Sequence, residues 1–265
     1  MKETFRLVQN LLEKRSVRHK EHRFVVEGPR LVAEASALID FIVYSEELPI
    51  VERMINNGID CHKVSHKMFA DLSGVETPQG VLAVVRKPAF HLNDIIKEKN
   101  PLIIFCVEIQ DPGNLGTIIR TADAVAASGV ILSRGTVDLY NQKVIRSTMG
   151  SLFHLPVVQI EETKEVINDL KKNGIKIVAA DISGKIDYFS ADYKLPTAIL
   201  IGNEGAGLPE EIIGLCDEVV KIPMPGRAES LNAGISAAVL LYEALRQRTS
   251  PLSPDFHRDS FPSPS

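Results

Sequence analysis

The 265-residue chain contains no tryptophan, only 6% aromatic residues and three cysteines, Cys61, Cys106 and Cys216. The cysteines lie far apart with no Cys-x-x-Cys pair, too few for a disulfide framework and wrongly spaced for zinc. They are expected to be buried thiols in a reducing compartment, and no metal site is expected. No stretch reaches the ~18 consecutive apolar residues of a membrane-spanning helix. The opening MKETFRLVQN carries Glu3 and lacks the apolar core of a signal peptide. A cytoplasmic protein with no membrane partner is therefore expected. A basic excess is also missing: 30 Lys and Arg face 34 Asp and Glu, for a net charge of -4. That balance argues against a general nucleic-acid binder.

What is present is apolar material, 45% of the chain, enough for two compact units and a tail. Phe5, Val8, Leu11 and Leu12 fall at helical spacing. A basic stretch, KRSVRHKEHR, reads as a turn before the short strand RFVVEG. Helical and strand patterns then alternate through GVLAVVRKP, giving a small α/β unit of about four strands. AFHLNDIIKEKNP reads as the link to a longer unit with strands LIIFCVEI, GVILS, LPVVQI, KIVAAD, AILIG and EVVKIP. Helices are expected near 116–127, 139–148, 163–173, 208–215 and 230–247. Apolar strands without polar alternation, joined by crossovers of this length, predict a mostly parallel sheet covered on both faces. The expected organisation is an N-terminal unit over 1–95, a larger α/β unit over 96–248 and a disordered Pro/Ser-rich tail over 249–265.

Three stretches at strand ends carry candidate chemistry. EIQDPGNLGTIIRTADA holds an Asp-Pro-Gly-Asn turn and then a helix expected from about Gly116, which would place Arg120 one turn in. AILIGNEGAGLPEE packs three glycines into six residues. Its glycine order does not match the dinucleotide fingerprint, and no Gly-Lys-Ser/Thr follows as in a phosphate-binding Walker loop. IPMPGRAESLNAGISAAV joins a rigid proline turn to a small-residue helix. There Ser230 is a candidate N-cap, and Leu231, Ile235, Ala238, Tyr242 and Leu245 form the face expected to be buried.

Taken together, the three stretches resemble the SpoU branch of the SPOUT methyltransferases, which act on the 2'-hydroxyl of RNA ribose. Asn114, Gly116 and Arg120 match the family's first motif; Gly202-Asn203-Glu204-Gly205 resembles the second; Ile222-Pro223-Met224 followed by Ser230-Leu231-Asn232 resembles the third. The resemblance spans the chain up to about residue 247, and FVVEGPRLVAEA is similar to the substrate-binding domain that often precedes such enzymes. It implies a deep trefoil knot in the second unit and S-adenosyl-L-methionine held by loops around Ile201, Gly202 and Gly205, Ile222 and Met224, and Leu231. The loop Ser147 to Ser151 is similar to a further family loop near the methionine end. It also implies a homodimer formed through the knot domain.

The resemblance implies Asn114, Arg120, Glu204, Ser230 and Asn232 as catalytic residues. A guanidinium does not give up its proton in proteins, so orienting the substrate and stabilising the developing alkoxide is the cheaper role for Arg120. Glu204 is expected to order the knot loops or Arg120 and not to accept the proton, and Glu229 receives no role. Lys14, Arg15, Arg18, Lys20 and Arg23 form a candidate RNA-contacting arm, together with Arg120. Ribosomal RNA is the favoured partner and transfer RNA the alternative; a non-catalytic RNA-binding or assembly factor is the competing reading.

Overall fold

A computed structural model describes residues 2–73, 75 and 77–249. The tail expected to be disordered lies, from Ser250 on, outside the described residues. The N-terminal unit runs α1 (Lys2–Glu13), α2 (Arg15–Glu21), β1 (Arg23–Glu27), α3 (Pro29–Glu34), β2 (Ile39–Tyr44), α4 (Pro49–Asn56), β3 (Asp60–Lys63), α5 (His66–Leu72) and β4 (Val81–Arg86). Its strands pair in the order β1-β4-β2-β3, with β4 antiparallel to β1 and β2. Strand alternation divides the apolar residues between two faces. Val25, Val43, Leu82 and Val84 pack against Val8 and Leu11 of α1 and Phe69 and Leu72 of α5. Phe24, Val26, Ile42 and Ala83 face the other way and merge with the core of the second unit.

The second unit contains α6 (Leu92–Ile96), β5 (Leu102–Cys106), α7 (Pro112–Ala124), β6 (Gly129–Leu132), α8 (Gln142–Thr148), β7 (Val157–Gln159), α9 (Thr163–Lys172), β8 (Lys176–Ala180), β9 (Ile186–Asp187), β10 (Thr197–Ile201), α10 (Glu210–Ile213), β11 (Glu218–Lys221) and α11 (Ala233–Arg248). Its seven strands lie in the order β7-β6-β5-β10-β8-β11-β9, and every pairing is parallel. Within the central strands Ile104 and Cys106 face one apolar layer, and Ile103 and Phe105 the other. Cys106, Ile201 and Ala180 lie side by side in register. The loops after β5, β10 and β11 therefore leave from one edge, where open parallel sheets bind ligands.

Several expectations change. The basic stretch is not a turn: most of it is helix α2. Arg18 is only 5% exposed. Its guanidinium donates to the carbonyls of Leu11 (2.6 Å) and Leu12 (3.0 Å) at the end of α1, and through Nε (3.0 Å) and an NH2 group (2.6 Å) to Asp138 of the second unit. It thus satisfies carbonyls that a helix end leaves unpaired, and Arg18 is not available to a phosphate. Arg23 is partly committed as well, to Asp40 at 3.2 Å. The expected linker contains the short helix α6, and β9 is an added strand whose two residues are too few to carry a periodicity. Among the cysteines, only Cys106 is fully buried; Cys61 and Cys216 are half-buried, and all three are free.

Helix α11 departs from the expected face at two of its five residues, while Leu231, Ala238 and Leu245 are half-buried. Ile235 and Tyr242 are 49% and 53% exposed, whereas Ala233, Ala237, Leu240, Leu241 and Ala244 are buried. At its start the inner face takes small residues because α11 lies close against α7: a Cβ at Gly234 would stand 3.1 Å from Thr117 Cγ2. The helix is capped by Asn232, whose Oδ1 accepts from Gly234 N (2.9 Å) and Ile235 N (3.2 Å). Ser230, the expected cap, is exposed in the loop before it. Helix α7 starts at Pro112 behind the N-cap Asp111. That places Arg120 eight residues in, about 12 Å along the axis at 1.5 Å per residue, and not one turn in.

Candidate active site

The turn after β5 is sharp, with Glu108 held at φ +56, a conformation that is uncommon outside glycine. Ser133 Oγ accepts from Glu108 N at 2.9 Å, and the Glu108 carbonyl accepts from Asn203 Nδ2 (2.9 Å) and Gln110 Nε2 (3.2 Å). Asp111 then caps α7, accepting from Asn114 N at 2.8 Å. The facing loop after β10 is a tight hairpin closed by reciprocal bonds between Asn203 and Gly207. Asn203 Oδ1 organises its tip by accepting from Gly205 N (2.9 Å) and Ala206 N (3.0 Å). Only glycine fits at 202, because a Cβ there would lie 2.4 Å from the backbone carbon of Gly207.

Glu204 joins the two loops. Its carboxylate accepts from Gln110 N (3.0 Å), Asp111 N (3.0 Å) and Asn114 Nδ2 (2.9 Å). Partial burial pushes this carboxyl up, but the bonds from Asn114, Gln110 and Asp111 outweigh it and hold Glu204 below its ordinary range. On its other side, Asn114 Oδ1 accepts from Asn232 Nδ2 at 2.7 Å. The relay has a fixed direction. Asn232 must turn its oxygen to the N–H groups of α11, so its amide nitrogen donates to Asn114, whose own nitrogen donates to an acceptor-only carboxylate.

The structure thus links Asn114, Glu204 and Asn232, residues from all three motifs. Arg120 and Ser230 stand outside the relay. Arg120 is exposed on α7, and among the described residues it makes no hydrogen bond or ion pair. Gly116 presses α7 against α8: a Cβ there would stand 2.3 Å from Ser147 Cβ. Asn203, Gln110 and Asp111 join the site as loop organisers, and Asn-Glu-Gly and Asp-Pro-Gly are turn sequences whose side chains commonly bond the backbone nearby.

Residues matched to donor binding line the same edge. Ile201 is buried in β10, Gly202 is half-buried and Gly205 is exposed in the hairpin. Ile222, Met224 and Leu231 are half-buried in the loop from β11 to α11. Among the described residues, the backbone N–H groups of Met224 and Leu231 have no hydrogen-bond partner. Half-buried apolar side chains with free backbone groups suit an adenosine, which offers both an apolar face and hydrogen-bonding edges. No cluster of three metal-ligating side chains occurs among the described residues, and no described helix is long and apolar enough to cross a membrane.

Fold and site together define a two-unit α/β protein in which three separated loops meet at one edge of the parallel sheet. The SpoU rRNA Methylase family matches residues 101–242, and an MRM3-like substrate binding domain matches residues 2–83. The chain belongs to the SpoU rRNA methylase family. It is 35% identical to the 23S rRNA (guanosine(2553)-2'-O)-methyltransferase RlmP of Bacillus subtilis, over 87% of this chain and 92% of that one. It is 37% identical to a 23S rRNA (uridine(2479)-2'-O)-methyltransferase of Streptomyces viridochromogenes, over 93% and 90%. The crystal structure of the SpoU methyltransferase AviRb from that organism, in complex with AdoMet, superposes with a TM-score of 0.85 at 35% identity, covering 92% of this chain and 98% of that one.

Proposed function

We propose that the protein is an S-adenosylmethionine-dependent methyltransferase acting on a ribose 2'-hydroxyl of 23S-type ribosomal RNA. The observation that carries this reading is the directed relay Glu204–Asn114–Asn232, which ties three motifs into one rigid edge beside loops suited to the donor. The 23S rRNA relatives favour ribosomal over transfer RNA as substrate. The donor would supply an activated methyl group: a carbon–oxygen bond to the ribose would form as the carbon–sulfur bond breaks, with the sulfur leaving as a neutral thioether and the hydroxyl proton passing to solvent at this exposed edge. The chain supplies alignment, which accounts for a large share of such a barrier. Gly202, Gly205, Ile201, Ile222, Met224 and Leu231 hold the donor.

Glu204 is a positioning residue. Its oxygens already accept three hydrogen bonds, and a carboxylate so satisfied is a poor proton acceptor. Asn114 and Asn232, with Ser230 from the adjoining loop, orient the hydroxyl. Arg120, exposed and uncommitted, stabilises the alkoxide developing on the ribose and contacts RNA. The unpartnered apolar side chains Ile235 and Tyr242 on α11 favour a homodimer through this unit, and the same reading includes a trefoil knot in the chain and a cytoplasmic location. Tritiated donor incubated with bulk RNA is expected to label the RNA. Arg120→Ala is expected to abolish labelling while calorimetric donor affinity stays within about twofold; parallel loss of both would remove Arg120 from the chemistry.

A further inference from the structure

The seam between the two units holds a cation that neither unit neutralises. Lys87, just after β4, is half-buried, and its Nζ lies 4.5 Å from the centre of the Tyr140 ring. Among the described residues its ammonium makes no hydrogen bond or salt bridge. The carboxylate that acts on it, Asp138, is committed elsewhere, taking two bonds from Arg18. Burial pushes the Lys87 ammonium down; Asp138 opposes this, while Arg18 and Arg15 add to it. Arg15, in the first turn of α2, is exposed and likewise unpaired among the described residues. Arg15 stands one turn before Arg18 on α2, so Arg15, Arg18 and Lys87 set against Asp138 leave two positive charges in excess.

This excess is joined to the relay through one short stretch of chain. From Tyr140 to Lys143 is three residues, at most about 11 Å. Asn141 caps α8, Gln142 donates to Val25 O of the N-terminal unit at 2.9 Å, and Lys143 Nζ lies 4.0 Å from Asp111, the cap of α7. One folded RNA element can therefore reach both places. We propose that Arg15 and Lys87, with the Tyr140 ring beneath the lysine, form a backbone-phosphate site for the substrate RNA at the unit boundary, which registers the target ribose against the relay. The proposal rests on the ribose-methyltransferase reading. It moves the RNA contact from the whole basic arm to its inner edge, with Arg18 as a scaffold.

The test is retention of labelled, protein-free 23S rRNA on filters between 50 and 200 mM KCl, using full-length protein. Lys87→Gln and Arg15→Gln are each expected to weaken binding at 50 mM by roughly threefold or more and to flatten the log-log salt slope by about 0.7–0.9, the loss of one phosphate contact. Lys87→Arg is expected to keep the wild-type slope, and Lys172→Gln, in α9, to change nothing. Unchanged slopes in both glutamine variants would overturn the proposal. So would a Lys87→Arg variant that falls with Lys87→Gln, which would make the lysine a packing element. Methyl transfer by the wild-type protein is read separately, so failure of the enzymatic reading and failure of the phosphate site are distinguishable.

Discussion

Removing the Glu204 carboxylate strands three donors at once, and the structure sets the size of the effect. In Glu204→Ala the N–H groups of Gln110 and Asp111 lie at an exposed edge where water replaces the lost acceptor, so each accounts for about 0.5 kcal/mol. Asn114 is only 7% exposed, and its stranded amide costs about 1–2 kcal/mol. After discounting for the exposure of Glu204 itself, the loss is about 2 kcal/mol. That corresponds to a midpoint lower by about 4–8 °C for a chain of this size. Freed of the carboxylate, the Asn114 amide loses its fixed orientation, and the methylation rate is expected to fall by about 10². Glu204→Gln keeps one acceptor for Asn114 and should show less than half of each effect. Because the native pKa of Glu204 is depressed, its contribution is present above the unfolded value of about 4.3 and lost as pH falls through the native one. Circular-dichroism melts should therefore show a constant gap between wild type and Glu204→Ala from pH 5 to 8 that closes in acid. A Glu204→Ala protein that melts within 1 °C of wild type (about 0.3–0.5 kcal/mol) and keeps its rate refutes the relay.

Two further outcomes follow from packing and charge at the helix and unit boundaries. Gly116→Ala should destabilise by about 1–3 kcal/mol through overpacking, because its methyl would meet Ser147 Cβ; Ser147→Gly in the same chain should recover part of that loss in the melting midpoint. His154 bridges the units, with Nδ1 3.0 Å from Asp123 and Nε2 2.9 Å from Glu34. Partial burial lowers its pKa, but the two carboxylates outweigh burial and raise it. The bridge therefore stabilises most below about pH 6.5 and fades as pH rises through the elevated native value. At this exposure it contributes less than about 1 kcal/mol, so His154→Ala should lower the midpoint at pH 6 and leave it almost unchanged at pH 8.5.

The layers were legible because each long strand is an apolar run bounded by turn residues. LIIFCVEI and AILIG could only be buried on both faces, and their neighbours in the sheet followed. Other features depend on partners distant in sequence. Arg18 looks like part of a solvated basic run until Asp138, 120 residues away, appears beside it. Ser230 and Asn232 are equally good caps by type, and the choice falls to Asn232, which also bonds to Asn114. In helix α11 apolarity suggests Ile235 and Tyr242 as part of the inner face, whereas the first turns lie so close to α7 that Ala233, Gly234 and Ala237 pack there, with Leu240 and Leu241 buried further along. In the site, the motifs marked Asn114, Glu204 and Asn232; the order of donor and acceptor among them needed the folded geometry.

The relay also has a consequence in time. Its two side-chain bonds close across 90 and 118 residues. Closing such loops adds little to the equilibrium cost, which grows only with the logarithm of length, but contacts of this range form slowly. During synthesis Asn114 and its turn leave the ribosome long before Glu204, and Asn232 follows later still. At 5–20 residues per second, a nascent chain spends several seconds with the first motif made and nothing to orient it. Closure of the relay thus waits until residue 232 has been synthesised, and partial chains that already carry the N-terminal unit still lack it.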